Sequence, residues 1–223
     1  MQQTIIFGAS RQGIIVLEVL RAQGNFDVLG FLDDDFSKHS AVVGGVKVLG
    51  GVEWAIANDR KNIVAIVAIG SNDARIAIGS KLRAHGIELI NAIHPSAVAM
   101  AGTAMGTGNL ICAGAVIVTG TRLEDEVVIN TGATIDHDSM LHTGAYVAPG
   151  VHTGGCVKIG QGAFIGVGAV LGPGVTIGDW CVIGAGSVVL SDLPSNVVAL
   201  GAPAKVVREL KGPVDWRKIL AGR

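Results

Sequence analysis

From Ile111 onward the chain keeps a six-residue beat: Ile117, Leu123, Ile129, Ile135, Leu141, Val147, Thr153, Ile159, Ile165, Leu171, Ile177, Ile183 and Val189. Thr153 alone breaks the aliphatic series. The position four residues further on is usually small, as at Ala115, Thr121, Ala133, Ser139, Ala145, Ala163, Ala169 and Ser187. Glycine often follows the aliphatic residue, as at Gly160, Gly166, Gly172, Gly178 and Gly184. A fixed short period marks a coiled repeat architecture. Three hexads close one triangular coil of about 18 residues, and coils stack at the strand spacing of ~4.8 Å. Residues 93–189 then form a prism of between five and six coils, with the aliphatic row inward. A slip of one residue would turn that row outward, so the register is strongly specified. The glycines are expected at corners that need a positive φ.

Composition fits such a coil and limits what else the chain can be. Of 223 residues, 49% are hydrophobic, 16% charged and 4% aromatic, which favours small branched side chains packed in β structure. The mean hydropathy of +0.53 raises the question of a membrane span. A spanning helix needs about 20 consecutive apolar residues, and the longest such run, residues 63–69, is far shorter. The excess is better used in a core and in subunit contacts. A net charge of −1 gives no general affinity for nucleic acid. Cys112, Cys156 and Cys181 have no metal-site or redox-motif spacing. Their sparse, odd number favours a reducing compartment. The N-terminal residues have no signal-peptide pattern, so a cytoplasmic location is expected.

The first part of the chain alternates strand and helix. Apolar runs at 4–7, 27–32, 63–69 and 88–90 read as strands, with a shorter extended piece at 46–49. Residues 14–23, 54–59 and 73–85 read as helices, the first burying Ile15, Leu17, Val19 and Leu20. The result is a small parallel α/β sheet, about half of a doubly wound dinucleotide domain. The expected organisation is an α/β Rossmann-like domain over 1–91, a left-handed parallel β-helix over 92–190 and a capping tail over 191–223 that ends in a short helix at 215–220.

The repeat, with Val175-Thr176-Ile177-Gly178, residues 183–189 and Gly201-Ala202-Pro203-Ala204-Lys205, resembles the left-handed β-helix acyltransferases. Gly8-Ala9-Ser10, Phe31-Leu32-Asp33-Asp34, residues 68–72 with Arg75, and Ile93-His94-Pro95-Ser96-Ala97 resemble the bacterial nucleotide-sugar acetyltransferases, which include the UDP-4-amino-sugar N-acetyltransferases and sialic-acid O-acetyltransferase-like proteins. The resemblance implies acetyl-CoA as donor, no metal, and a homotrimer with active sites between prisms. It implies a 4-amino-4,6-dideoxy sugar nucleotide as acceptor, held by Gly8, Ser10, Arg11, Gln12, Asp33, Asp34, Gly70 and Asn72. Acetyl-CoA contacts fall at Tyr146, Gly155, Val167, Ala185 and Lys205. Two positions depart from the family pattern. Arg11-Gln12 stands where Gly-His is common, and Tyr146 stands where a second histidine is common.

His137, in Ile135-Asp136-His137-Asp138, lies two positions after an inward aliphatic and should point outward. Acetyl transfer to an amine needs a base near neutral pH, which histidine supplies. A carboxylate on the other ring nitrogen would fix the tautomer. The resemblance assigns that place to Asp138 and the oxyanion donor to the backbone N–H of Gly155. No cysteine or serine is evidently paired with a base, so direct attack is expected. Asp33 and Asp34 end a strand, where a base or ribose can be bound. The Gly8–Gly13 turn opens a helix and could present N–H groups to phosphate. Sugar O-acetylation needs the same base and is the alternative. A zinc carbonic-anhydrase-like centre is a distant second: His137 and His142 have its five-residue spacing, but Ala101 occupies the place of the third imidazole. A non-catalytic sugar-nucleotide scaffold is a third class.

Overall fold

The computed structural model describes residues 1–56, 63–213 and 215–220. The first unit contains β1 (Gln2–Phe7), α1 (Arg11–Gln23), β2 (Phe26–Leu32), β3 (Val42–Val43), β4 (Val46–Gly50), α2 (Val52–Ile56), β5 (Val64–Val67), α3 (Asn72–Ala84) and β6 (Glu88–Leu89). The helix expected at 54–59 starts earlier, at Val52, and its last three positions lie outside the described residues. The strands form one sheet in the order β3-β4-β2-β1-β5-β6, parallel except at the β3–β4 hairpin. β5 is buried on both faces, which is why its sequence is a continuous apolar run. α1 ends at Gly24, whose φ of 77° makes a left-handed cap, with its N–H bonded to the Leu20 carbonyl. Its buried stripe is Val16, Leu17, Val19 and Leu20; Ile15 points to solvent, contrary to its expected burial.

A parallel β-helix follows. Its strands run from β7 (Ala92–Ile93) to β23 (Val188–Val189), each two residues long and six residues apart. They form three faces. The first contains β7, β10, β13, β16, β19 and β22 and is extended by β24 (Val197–Gly201) and β25 (Ala204–Glu209). The second runs from β8 to β23 and the third from β9 to β21. Equivalent residues stack one coil apart, as in Ile111↔Ile129, Ile129↔Val147 and Val147↔Ile165. The whole aliphatic row is buried, and so are the small residues four positions on. Each fully buried aliphatic contributes roughly 1.5–3 kcal/mol relative to exposure.

The glycines that follow the aliphatic residues do not have positive φ. They allow close approach instead: a Cβ on Gly166 would stand 2.6 Å from the Ala185 backbone nitrogen. Positive φ falls two residues later, in a series that passes through Gly114, Gly132 and Gly150. Four corners of this series are not glycine: Glu126, Asp138, Cys156 and Trp180.

The three faces differ in cover. Outward residues of the first face, Leu110, Val128, Tyr146, Phe164 and Val182, are buried. α1 packs on that side, and so do Leu210, Trp216 and Ile219 from the tail. Outward residues of the second face include Val98 at 49% and Val170 at 42% exposure. The third face presents Ala104, Arg122 and Lys158 to solvent. No helix among the described residues is long and apolar enough to cross a membrane.

Candidate active site

His137 occupies the turn between β14 (Thr134–Ile135) and β15 (Met140–Leu141), on the edge joining the second and third faces. Its side chain is half exposed, as is that of Asp138. Nδ1–H donates to Asp138 Oδ2 at 2.9 Å, which leaves Nε2 with the free lone pair. The Asp138 hydrogen bond, followed by the charge of Asp136, holds the imidazole pKa above its ordinary value. Asp138 reaches this position from a left-handed φ of 55°, a conformation non-glycine residues adopt at a cost of about 1–3 kcal/mol.

The next coil holds this turn in place. In the regular ladder the residue after each inward aliphatic donates to a carbonyl one coil on, as Val118 does to Ile135. At Asp136 the acceptor is the Thr153 hydroxyl, at 3.1 Å. The interruption in the aliphatic row is therefore a hydrogen-bonding substitution directly beneath the histidine. Asp136 Oδ1 accepts from the His137 N–H at 2.8 Å, and Cys156 N–H donates to the His137 carbonyl at 2.8 Å.

Gly155 packs against the imidazole. A Cβ there would stand 2.4 Å from Nε2, so any side chain would displace the ring. Among the described residues nothing accepts from the Gly155 N–H. A base with an open Nε2 beside a free N–H can deprotonate a nucleophile and stabilise an oxyanion.

Cys156 stands beside them, exposed and at φ 62°. Ligand atoms of His137, Asp138 and Cys156 lie within 4.8 Å of one another. The base thus has a thiol neighbour, although no hydrogen bond joins Cys156 Sγ to His137 or Asp138 among the described residues. The separation hid it: Cys156 is one coil beyond Asp138, and a step of 18 residues finds it. This group contains one imidazole, not three. His142 lies at the other end of β15, bonded to Glu124 at 3.1 Å.

The residues expected at the donor fall into separate places. Val167 and Ala185 lie exposed on turns between the first and second faces. Lys205 is exposed on β25. Tyr146 is set apart from these turns. It lies on β16 (Tyr146–Val147), 7% exposed, beneath Trp216 and beside Phe164, and its hydroxyl accepts from Asn130 at 3.0 Å. The sequence contained no sign that the tail returns to cover it.

A cavity of about 340 Å³ in the α/β unit brings together Gly8, Ser10, Asp33, Asp34 and Gly70. Arg11 and Gln12 are not in its lining. Asp33 is also committed locally, accepting from the Ala9 N–H at 2.9 Å and from Lys38 at 2.8 Å. Asp34 accepts from the Val52 N–H. Asn72 points away from the cavity and is buried, donating to the Gly162 carbonyl at 2.9 Å. It belongs to a clamp centred on Arg75, which is 1% exposed. Arg75 donates to the carbonyls of Glu126 at 3.0 Å and Gly144 at 2.8 Å, so α3 grips three successive coils at equivalent positions. Burial lowers the Arg75 pKa to about 10. An open groove of about 620 Å³, lined by Met105, Arg122, Glu124, Met140 and Thr143, crosses the third face between this clamp and the His137 edge.

Residues 3–82 match the family model described as the PglD N-terminal domain, and residues 156–191 match the bacterial transferase hexapeptide repeat. Over 116 residues the chain is 30% identical to UDP-N-acetylbacillosamine N-acetyltransferase of Bacillus subtilis (strain 168). That match covers 51% of this chain and 52% of the relative, so it spans about half the relative's length. PerB from Caulobacter crescentus, solved with CoA and GDP-perosamine, is 39% identical with a TM-score of 0.88, over 93% of this chain and 98% of that one. The acetyltransferase domain of PglB from Neisseria gonorrhoeae FA1090, solved with acetyl coenzyme A, is 31% identical with a TM-score of 0.87, over 92% and 99%.

Proposed function

The chain belongs to the family of nucleotide-sugar N-acetyltransferases that join a PglD-type N-terminal domain to a hexapeptide-repeat prism, and on that premise we propose that it moves the acetyl group of acetyl-CoA to the amino group of a 4-amino-4,6-dideoxy sugar carried on a nucleoside diphosphate, in surface-glycan assembly. The observation that carries the chemistry is the His137–Asp138 pair with Nε2 facing Gly155. His137 Nε2 takes a proton from the amine as its nitrogen attacks the thioester carbon. Gly155 N–H receives the developing oxyanion, and the imidazolium returns its proton as the CoA thiolate leaves. Asp138 holds the tautomer and stabilises the imidazolium throughout.

The placement of the donor residues supports a homotrimer. His137 and Gly155 line one edge of the second face, and Val167 and Ala185 line the other. Three protomers with second faces turned toward a common axis would set the His137 edge of one beside the Val167 edge of the next. Val98 and Val170 provide exposed apolar surface for that contact. A donor seated between two prisms would then meet both sets of residues.

The test is a thiol-release assay with UDP-, GDP- and dTDP-linked amino sugars, using wild type and His137→Ala. With an accepted sugar, kcat should fall by roughly 10²–10⁴ in the variant. Near-normal kcat would sink the base assignment. Equal release with hydroxyl sugars in place of amino sugars would sink N-transfer.

A further inference from the structure

The tail reaches a place that a mere end cap would not. α4 (Trp216–Leu220) lies against the outer side of the first face. Trp216 stacks on Phe164 with ring centroids 3.9 Å apart and planes 15° from parallel. Its Nε1–H donates to the Gly70 carbonyl at 2.8 Å. Gly70 is itself in the wall of the cavity formed by Gly8, Ser10, Asp33 and Asp34. The indole therefore ties the tail both to the prism and to the rim of that cavity, and the next residue, Arg217, becomes part of the lining.

The charges in this cavity leave one task open. Asp33 and Asp34 suit hydroxyl or amide donors on a ligand, whereas an anionic ligand needs a cation. Lys38 also lines the cavity, but its ammonium is paired with Asp33 at 2.8 Å. Arg217 binds Asp215 through Nε at 2.8 Å and Nη2 at 2.6 Å. That fork orients the guanidinium, while its side chain remains about half exposed. Nη1 lies on the Gly70 side, 4.0 Å from where a Cβ of that glycine would stand. A planar, oriented guanidinium at a cavity mouth is matched to phosphate oxygens.

We infer that Arg217, held by Trp216 and Asp215, is the cationic contact for the diphosphate of the nucleotide-linked sugar. The inference rests on the proposed acceptor class, but the binding it describes can be measured without turnover. Arg217 is remote in the fold from the His137 edge, so its effect belongs to acceptor binding and not to the acetyl-transfer step.

The experiment uses full-length protein, with Arg217→Ala, Arg217→Lys and Trp216→Ala. Calorimetry with UDP and GDP gives equilibrium binding, and steady-state kinetics give KM for each substrate. Arg217→Ala should weaken nucleoside diphosphate binding roughly tenfold and raise the acceptor KM alike, since a charge-assisted contact is lost. KM for acetyl-CoA and kcat should hold. Arg217→Lys should recover part of the loss, and Trp216→Ala should reproduce it. Binding within twofold of wild type in Arg217→Ala, or no nucleoside diphosphate binding by wild type, overturns the inference. Arg217-dependent diphosphate binding without acetyl transfer would instead overturn the proposed function and leave this inference standing.

Discussion

Two corners of the prism replace glycine with an acid at left-handed φ, and they serve opposite ends. Glu126 is buried, its Oε1 paired with Arg83 at 2.6 Å and its carbonyl held by Arg75, while Oε2 is sealed from solvent without a hydrogen-bond partner among the described residues. Asp138 is exposed and bonded to a single imidazole whose second nitrogen stays open. A buried charge needs a partner, which Arg83 supplies, and the remaining Oε2 is out of reach of a substrate, so the first corner acts as architecture. The second can leave a base unsatisfied because water solvates it until a substrate arrives. Burial raises the Glu126 pKa, against the opposing pull of Arg83 and Arg75. At His137 the hydrogen bond to Asp138 is the leading influence. Backbone conformation alone therefore does not tell a structural corner from a chemical one; whether an unpaired atom is open to solvent does.

The contrast breaks most sharply at Arg75. Arg75→Ala leaves buried carbonyls of two coils and the Asn72 amide oxygen without a donor. The expected destabilisation is about 3–5 kcal/mol, read by chemical denaturation. A variant within about 1 kcal/mol of wild type would show that the clamp is not what docks the α/β unit. A smaller effect is expected at Thr153. Thr153→Val completes the aliphatic row but removes the acceptor for Asp136 N–H. Loss of one such bond, worth about 1 kcal/mol, should lower kcat roughly five- to tenfold, while the melting temperature is held or raised. Unchanged kcat would reduce the hydroxyl to a repair of the ladder.

The subtlest test is the pH profile. The His137 pKa is raised above its ordinary value of 6.5, first by the Asp138 hydrogen bond and then by Asp136. The base works only when neutral, so kcat/KM should fall as pH drops through that raised value. Asp138→Asn removes the leading cause, so the acid limb should move to lower pH. An unshifted limb would leave Asp138 as an ornament of the corner.

The repeat was readable because every inward position obeys one period, and the backbone follows it from β7 to β23. The phase of the repeat also turns His137 outward, whereas Gly155 came from the resemblance alone and lies one coil on, against the imidazole. Glycine misled at the corners because two positions per hexad want it for different reasons, one steric and one conformational. The burial of Asn72 and Tyr146 was not legible because their surroundings come from distant segments. Asn72 meets a carbonyl 90 positions away, and Tyr146 meets a tail indole. No local pattern encodes such docking, and Arg217 was invisible for the same reason.

Stacking by coils also governs how this half of the molecule can change length. An insertion of one or two hexads between His137 and Gly155 would carry the glycine to another face and leave the imidazole without its neighbour. Length in this half is therefore counted in whole turns. Gains and losses are tolerated at the two ends of the prism, while the segment between 137 and 155 is phase-locked. Relatives with longer or shorter prisms are expected to keep that interval unchanged, a ruler against which the rest of the repeat can be counted.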